Sequence, residues 1–195
     1  MKYLSILVLL LITTSEHTFA AQMTGFARSY YQDERALQEV ASTHSLLPNI
    51  TLGSKSILME TSTLAEIAEA PFHKDSSATW LCLRSTEDIN YWFISDNEMG
   101  KGLLTAIAIA KDGNHKECIT TAEPIRVSIT GLSLLEATRQ DLIHTFGNIA
   151  SIKKDAFLYY QETPVDNGFT QSNTVTYYLD GDRVRGVIIG QITSS

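Results

Sequence analysis

The chain has 195 residues, with 22 Asp and Glu against 15 Lys and Arg, a formal charge of −7. That length suits one domain or two small halves sharing a core. The acidic balance, with no basic stripe to neutralise phosphates, argues against a nucleic-acid binder.

The N-terminus reads as a secretory signal over residues 1–20. Lys2 gives a short positive start, Leu4 to Ile12 form an apolar run broken only by Ser5, and Thr18-Phe19-Ala20 place small residues before a cut ahead of Ala21. The run is too short to span a bilayer, where about 20 residues are needed. The mature product, about 175 residues, is therefore expected in the periplasm or secreted medium with no integral membrane segment, and could bury roughly 70% of its unfolded surface. Residues 21–48 read as an N-terminal arm or helix, with Ala36–Ala41 helical in pattern and Pro48 as its stop.

Residues 49–118 form a first expected unit. Ile50 to Met59 contain a strand, and Thr63 with Glu66 makes a capping box for a helix whose apolar face is Leu64, Ile67 and Ala68. Pro71 ends that helix. Strands follow at 78–84, 89–95 and 103–110, separated by turn-forming residues.

Residues 119–195 repeat the plan. Ile125, Val127 and Ile129 alternate as a half-buried strand, and Ser133 with Glu136 is expected to cap a second helix through Leu135, Leu142 and Phe146 to Gly147. Strands at 156–162, 173–179 and 183–192 complete it, with Asp180-Gly181-Asp182 as a tight hairpin. The fold expected is α+β: two tandem β-α-β-β-β units with antiparallel sheets and the helices packed on one face.

Both cysteines, Cys82 and Cys118, lie in the exported part, where an isolated pair forms one disulfide more often than not. Two free thiols, or a catalytic one, are the alternatives. The sequence contains no nucleophile elbow, zinc-helix motif, phosphate loop or paired C-x-x-C. His44, His73, His115 and His144 are scattered among polar residues. No catalytic, cofactor-binding or metal-ligating residues are assigned.

The aromatic residues carry more. Trp80, Tyr91, Phe93, Tyr159 and Tyr177 fall within expected strands, whose side chains alternate between faces. If helices cover one face, aromatics on the other could anchor a partner, with acidic turn residues Asp96 and Glu98 beside them. Whether a further layer such as the N-terminal arm covers that face is open.

Gly131-Leu132-Ser133, the segment to Phe146-Gly147, Tyr159-Tyr160 and the hairpin at 178–184 resemble the SmpA/OmlA (BamE-like) family. Two such units in tandem resemble the architecture of β-lactamase-inhibitory proteins, which implies a continuous sheet offered to an enzyme. The first half is also similar to a set of uncharacterised exported bacterial proteins at Trp80, Cys82, Glu98, Met99, Gly100 and Cys118. That likeness supports the disulfide. The combined expectation is a non-enzymatic module that binds another exported protein such as a hydrolase, as an inhibitor or immunity protein does. The alternatives are a soluble envelope-assembly factor and an enzyme with an unrecognised site.

Overall fold

The computed structural model describes residues 22–32, 37–129, 132, 134–146 and 155–195. The expected signal segment, Gly131, Ser133 and Gly147 lie outside them. The described chain runs from a 3-10 helix at Gly25–Tyr31 through β1 (Gln38–Ala41), β2 (Asn49–Leu52), β3 (Lys55–Ile57), α1 (Leu64–Ile67), β4 (His73–Lys74), β5 (Ala78–Arg84), β6 (Asn90–Asp96), β7 (Ala106–Ala110) and β8 (Cys118–Thr120). It continues through β9 (Ile125–Ser128), α2 (Arg139–Phe146), β10 (Ala156–Pro164), β11 (Thr170–Asp180) and β12 (Arg183–Ser194).

The α+β expectation is overturned. Strands dominate: a nine-stranded mixed sheet in the order β1-β10-β11-β12-β7-β6-β5-β4, with β8 also on β5, faces a small sheet in the order β3-β2-β9. The small sheet takes much of the face that two helices were expected to cover. The helices are short for definite reasons. Thr63 and Glu66 do form the reciprocal capping box, but α1 is a single turn, and its chain is already extended at Ala68. At the second helix, Ala137 O accepts from Val184 N at 3.0 Å and Arg139 N donates to Asp182 O at 2.8 Å. Those bonds hold residues 137–139 against the β11–β12 hairpin, so α2 starts only at Arg139. Its reciprocal cap is Thr138 with Asp141: Asp141 N donates to Thr138 Oγ1, and Thr138 N to Asp141 Oδ2. Within the stretch expected to be helical at 36–41, Gln38–Ala41 form β1, parallel to β10, and Ala36 lies outside the described residues.

The large sheet has a local two-fold symmetry about the antiparallel seam where Ala108 pairs with Ile188. An antiparallel pair is related by an axis perpendicular to the sheet, so both halves keep the same face on the same side. The registers continue the symmetry outward. Trp92 pairs with Ala108 as Thr176 pairs with Ile188, and Cys82 pairs with Trp92 as Leu158 pairs with Thr176. At the edges, β8 lies parallel to β5 with Cys118 opposite Cys82, and β1 lies parallel to β10 with Glu39 opposite Leu158.

Pleating divides the core. The inner face, under the small sheet and the helices, buries Leu81, Tyr91, Phe93, Ile107, Ile109, Phe157, Tyr159, Val175, Tyr177, Val187 and Ile189 with Leu64, Ile67, Leu142 and Phe146. Phe146 stacks on Tyr159 with ring centroids 4.2 Å apart. The outer face buries Trp80, Cys82, Trp92, Ile94 and three alanines of β7 beneath Met23, Phe26 and Ala27 of the N-terminal segment.

The hydroxyls of Tyr159 and Tyr177 are buried and have no hydrogen-bond partner among the described residues. Burial holds the Tyr177 phenol well above its ordinary pKa, and the neighbouring Tyr159 adds to the shift. A buried unpaired hydroxyl costs about 1–3 kcal/mol. Tyr177→Phe, which keeps the ring, is therefore expected to leave urea unfolding unchanged or move its midpoint upward; a clear loss of stability would show that the hydroxyl has a partner.

Candidate binding groove and the N-terminal latch

The outer face is covered unequally. Residues 22–32 lie over the β5–β7 half and reach Gly186 and Tyr178 of the β10–β12 half, beyond which the described residues leave a groove. What holds that segment down is a polar cluster beside the disulfide. The parallel pairing of β8 with β5 sets Cys118 opposite Cys82, and the two are bonded with their Cα atoms 4.4 Å apart. Glu117, the preceding residue, then reaches the sheet face. Its carboxylate accepts from Trp92 Nε1 at 2.9 Å, Trp80 Nε1 at 3.2 Å, Thr24 N at 3.0 Å and Thr24 Oγ1 at 2.8 Å. Burial alone would push the Glu117 carboxyl up, but these four donors outweigh it and hold it below the ordinary glutamate value.

Asp112 supplies the second tether. Its Oδ2 accepts from Phe26 N at 2.6 Å, and its Oδ1 accepts from Asn90 Nδ2 at 2.9 Å. His115 Nε2 stands 3.0 Å from Asp112 Oδ2, within ion-pair reach when the ring is protonated but off the angle of a hydrogen bond. His115 Nδ1 lies 3.3 Å from Thr24 Oγ1. A hydroxyl, an imidazole and a carboxylate in sequence look like a nucleophile triad. Thr24 Oγ1, however, gives its proton to Glu117, and Asp112 is engaged by the Phe26 amide. The group works as a tether.

Two glycines let the segment come close. Gly25 has φ +57°, and a Cβ there would sit 2.3 Å from His115 Cε1. At Gly186 a Cβ would meet the Phe26 ring at 2.4 Å, so the bare backbone of β12 forms the seat for that ring. Phe26 then packs edge-on against Tyr178, centroids 5.3 Å apart.

At its far end the segment is fixed by tyrosines. Tyr31 OH donates to Asp75, and Tyr30 OH donates to Asp96 Oδ2 at 3.4 Å. Burial first, then the neighbouring carboxylates, holds both phenols far above their ordinary pKa, so they remain neutral donors. Asp75 and Asp96 are turn-holders too: Asp75 Oδ1 accepts from Ser77 N and Ala78 N, and Asp96 Oδ1 from Glu98 N and Met99 N.

Beyond Tyr30 and Tyr31 the outer face opens into a cavity of about 650 Å³ floored by Ala106, Leu158, Thr174, Thr176, Ile188 and Gly190. It continues past Tyr160 to a rim of Glu39 and Glu162. Asp96 and the exposed Met99 stand at the other end. The described residues lining this groove include three carboxylates and no Lys, Arg, His or Cys.

The seven residues expected to meet a partner are thus placed differently. Trp80, Tyr91, Phe93, Tyr159 and Tyr177 are all buried, Trp80 under the N-terminal segment and the other four in the inner core, so none can serve as a surface anchor. Both faces of the β5–β7 half carry a covering layer, which the strand pattern alone could not reveal. Asp96 and Glu98 share a turn as expected; Asp96 lines the groove and Glu98 is exposed. Glu117, Asp112 and Thr24 carried no motif. The available hint was that an acid directly precedes a cysteine whose partner strand β5 carries Trp80, with Trp92 on the neighbouring β6.

No helix among the described residues is long and apolar enough to cross a membrane. The disulfide is compatible with an oxidising compartment. Comparison with known proteins finds no family model, no curated protein and no solved structure that matches the chain.

Proposed function

We propose that the mature chain is an exported, non-enzymatic module that binds another exported protein through the open half of the sheet's outer face. One observation carries this reading: among the described residues, one half of a symmetric sheet is covered by the chain's own segment and part of the other half is left as a groove. The groove's chemistry fits recognition better than reaction. Thr, Ile, Leu and Tyr side chains offer apolar contact with hydroxyls interspersed, and its carboxylates stand at the ends, with no histidine or cysteine among the described lining residues to act as base or nucleophile. A secreted or imported hydrolase is the target class, with inhibition or immunity as the consequence. The two-unit organisation of the chain, units 49–118 and 119–195, is part of the same proposal, supported by the matching registers on either side of the β7–β12 seam.

The test uses Gly190. A side chain there projects from the groove floor against Thr174 Oγ1, which can rotate aside. Gly190→Val should therefore raise the groove floor and obstruct an occupant while leaving the fold intact. Affinity capture from periplasmic extract is expected to hold a stoichiometric partner on the wild-type protein and to lose it on Gly190→Val, with the two proteins melting within a few degrees. A partner retained equally by both would place binding elsewhere.

A further inference from the structure

We infer that the open half of the outer face takes an extended, lysine- or arginine-bearing segment of the partner polypeptide, seated as residues 22–32 seat on the covered half. This rests on the binding reading above and names the chemistry of the occupant.

The symmetry supplies the first step. Rotation about the β7–β12 seam carries Gly186, the seat of Phe26, onto Ala106, which lines the groove. It carries Cys118 on the β8 edge onto Glu39 on the β1 edge. On the covered half, a peptide segment lies on small residues of the central strands and is fixed by carboxylates: Glu117 beside the β8 edge, Asp112 after β7, and Asp75 and Asp96 at the far end. The open part also has a floor of small residues, with nothing seated on it among the described residues, but its edge carboxylates are not the rotational counterparts of Glu117 and Asp112. Small or slim residues Ala106, Thr176 and Gly190 form the floor, Glu39 and Glu162 stand along the edge, and Asp96 stands at the opposite end.

Charge supplies the second step. Glu39 and Glu162 make no ion pair with a described residue, and no described cation lines the groove. An acidic peptide would meet carboxylates at both ends and would be repelled. A cationic one gains attraction that sets its orientation and its encounter rate, while the apolar floor supplies contact area.

The probes are three peptides of about ten residues alternating Phe or Leu with Lys, with Gln or with Glu, titrated against the full mature protein by isothermal calorimetry. The lysine peptide is expected to bind at least about tenfold more tightly than the glutamine peptide and the glutamate peptide not at all. The Glu39→Gln, Glu162→Gln double variant should weaken the lysine peptide by about tenfold, and Gly190→Val should abolish its binding. Raising salt should weaken it as well. Equal binding of the lysine and glutamine peptides, both lost in Gly190→Val, would overturn the cationic occupant and leave the groove reading standing. Lysine-peptide binding untouched by either variant would overturn both. No binding of any peptide, with wild-type protein dimerising in sedimentation and Gly190→Val remaining monomeric, would assign the groove to a second copy of this chain and overturn the inference. No peptide binding and no dimer overturns it equally.

Discussion

Glu117→Ala is expected to destabilise the protein by about 2–4 kcal/mol, a fall in melting temperature of roughly 5–15 °C for a domain of this size. The effect comes from the donors left behind. Trp80 and Trp92 are fully buried, and both indole N–H groups end on this one carboxylate. Removing the acceptor leaves each donor without a protein partner, at about 1–3 kcal/mol apiece when water cannot substitute. Glu117 is only partly buried, so water can reach part of the vacated space, which keeps the expectation to the lower part of the combined range. Thr24 also loses its tether to Glu117, and the N-terminal segment keeps Asp112, its two tyrosines, the Tyr178 hydroxyl on Ser29 O and the Phe26 packing. The local consequence separates this account from a general loss of packing. Amide exchange should accelerate at residues 24–31 before the inner core is affected, and tryptophan fluorescence should shift to the red at denaturant levels below global unfolding. Unchanged exchange at the N-terminal segment would contradict the latch.

The same carboxylate gives a pH dependence whose sign follows from its lowered value. A group held below its unfolded pKa contributes its full stabilisation above the unfolded value and loses it as pH falls through the folded one. The Glu117 contribution is therefore present at neutral pH and disappears below about pH 4.5. Glu66 and Asp141, lowered by their capping partners, titrate in the same acid range but lie fully in solvent. Glu117→Gln preserves shape and one acceptor oxygen. It should lose less stability than alanine while flattening the part of the acid limb that belongs to the N-terminal segment.

How much of this was legible beforehand follows from what kind of signal each element carries. Strand pleating is local, so β5, β6 and the alternation of Tyr91, Trp92 and Phe93 could be read directly from residue order. The Asp180-Gly181-Asp182 turn fixes its hairpin by backbone conformation, Gly181 having φ +59°. The α2 start could not be read that way. Two adjacent stretches, Ser133/Glu136 and Thr138/Asp141, each look like a helix start. The choice is made by Val184 and Asp182, residues more than forty positions away that bond the backbone of 137–139. The groove was obscured for a related reason. Which half of the outer face is covered depends on where residues 22–32 land, and that is decided by Glu117, Asp112, Asp75 and Asp96, all distant in sequence. Aromatic richness marked strands correctly but not exposure, because an aromatic in a strand covered on both faces is core.

Removing the disulfide by Cys82→Ala with Cys118→Ala is the second large expected effect, about 3–4 kcal/mol in the chain-entropy account for a crosslink spanning 36 positions. That corresponds to a fall in melting temperature of roughly 6–15 °C. Its structural effect reaches further than loop closure. β8 is only three residues long and Glu117 directly precedes it, so the crosslink is the strongest constraint holding that carboxylate under the two indoles. Without it, β8 keeps only its short parallel ladder on β5, and Glu117 can move away from Trp80 and Trp92. The two predictions are therefore coupled. In a double-mutant cycle, Glu117→Ala should cost less in the cysteine-free background than in the crosslinked protein, by about 1 kcal/mol or more, because residues sharing one network do not add. Strict additivity would mean that Glu117 is positioned without help from the crosslink. The N-terminal cover would then be held independently of the redox state of Cys82 and Cys118.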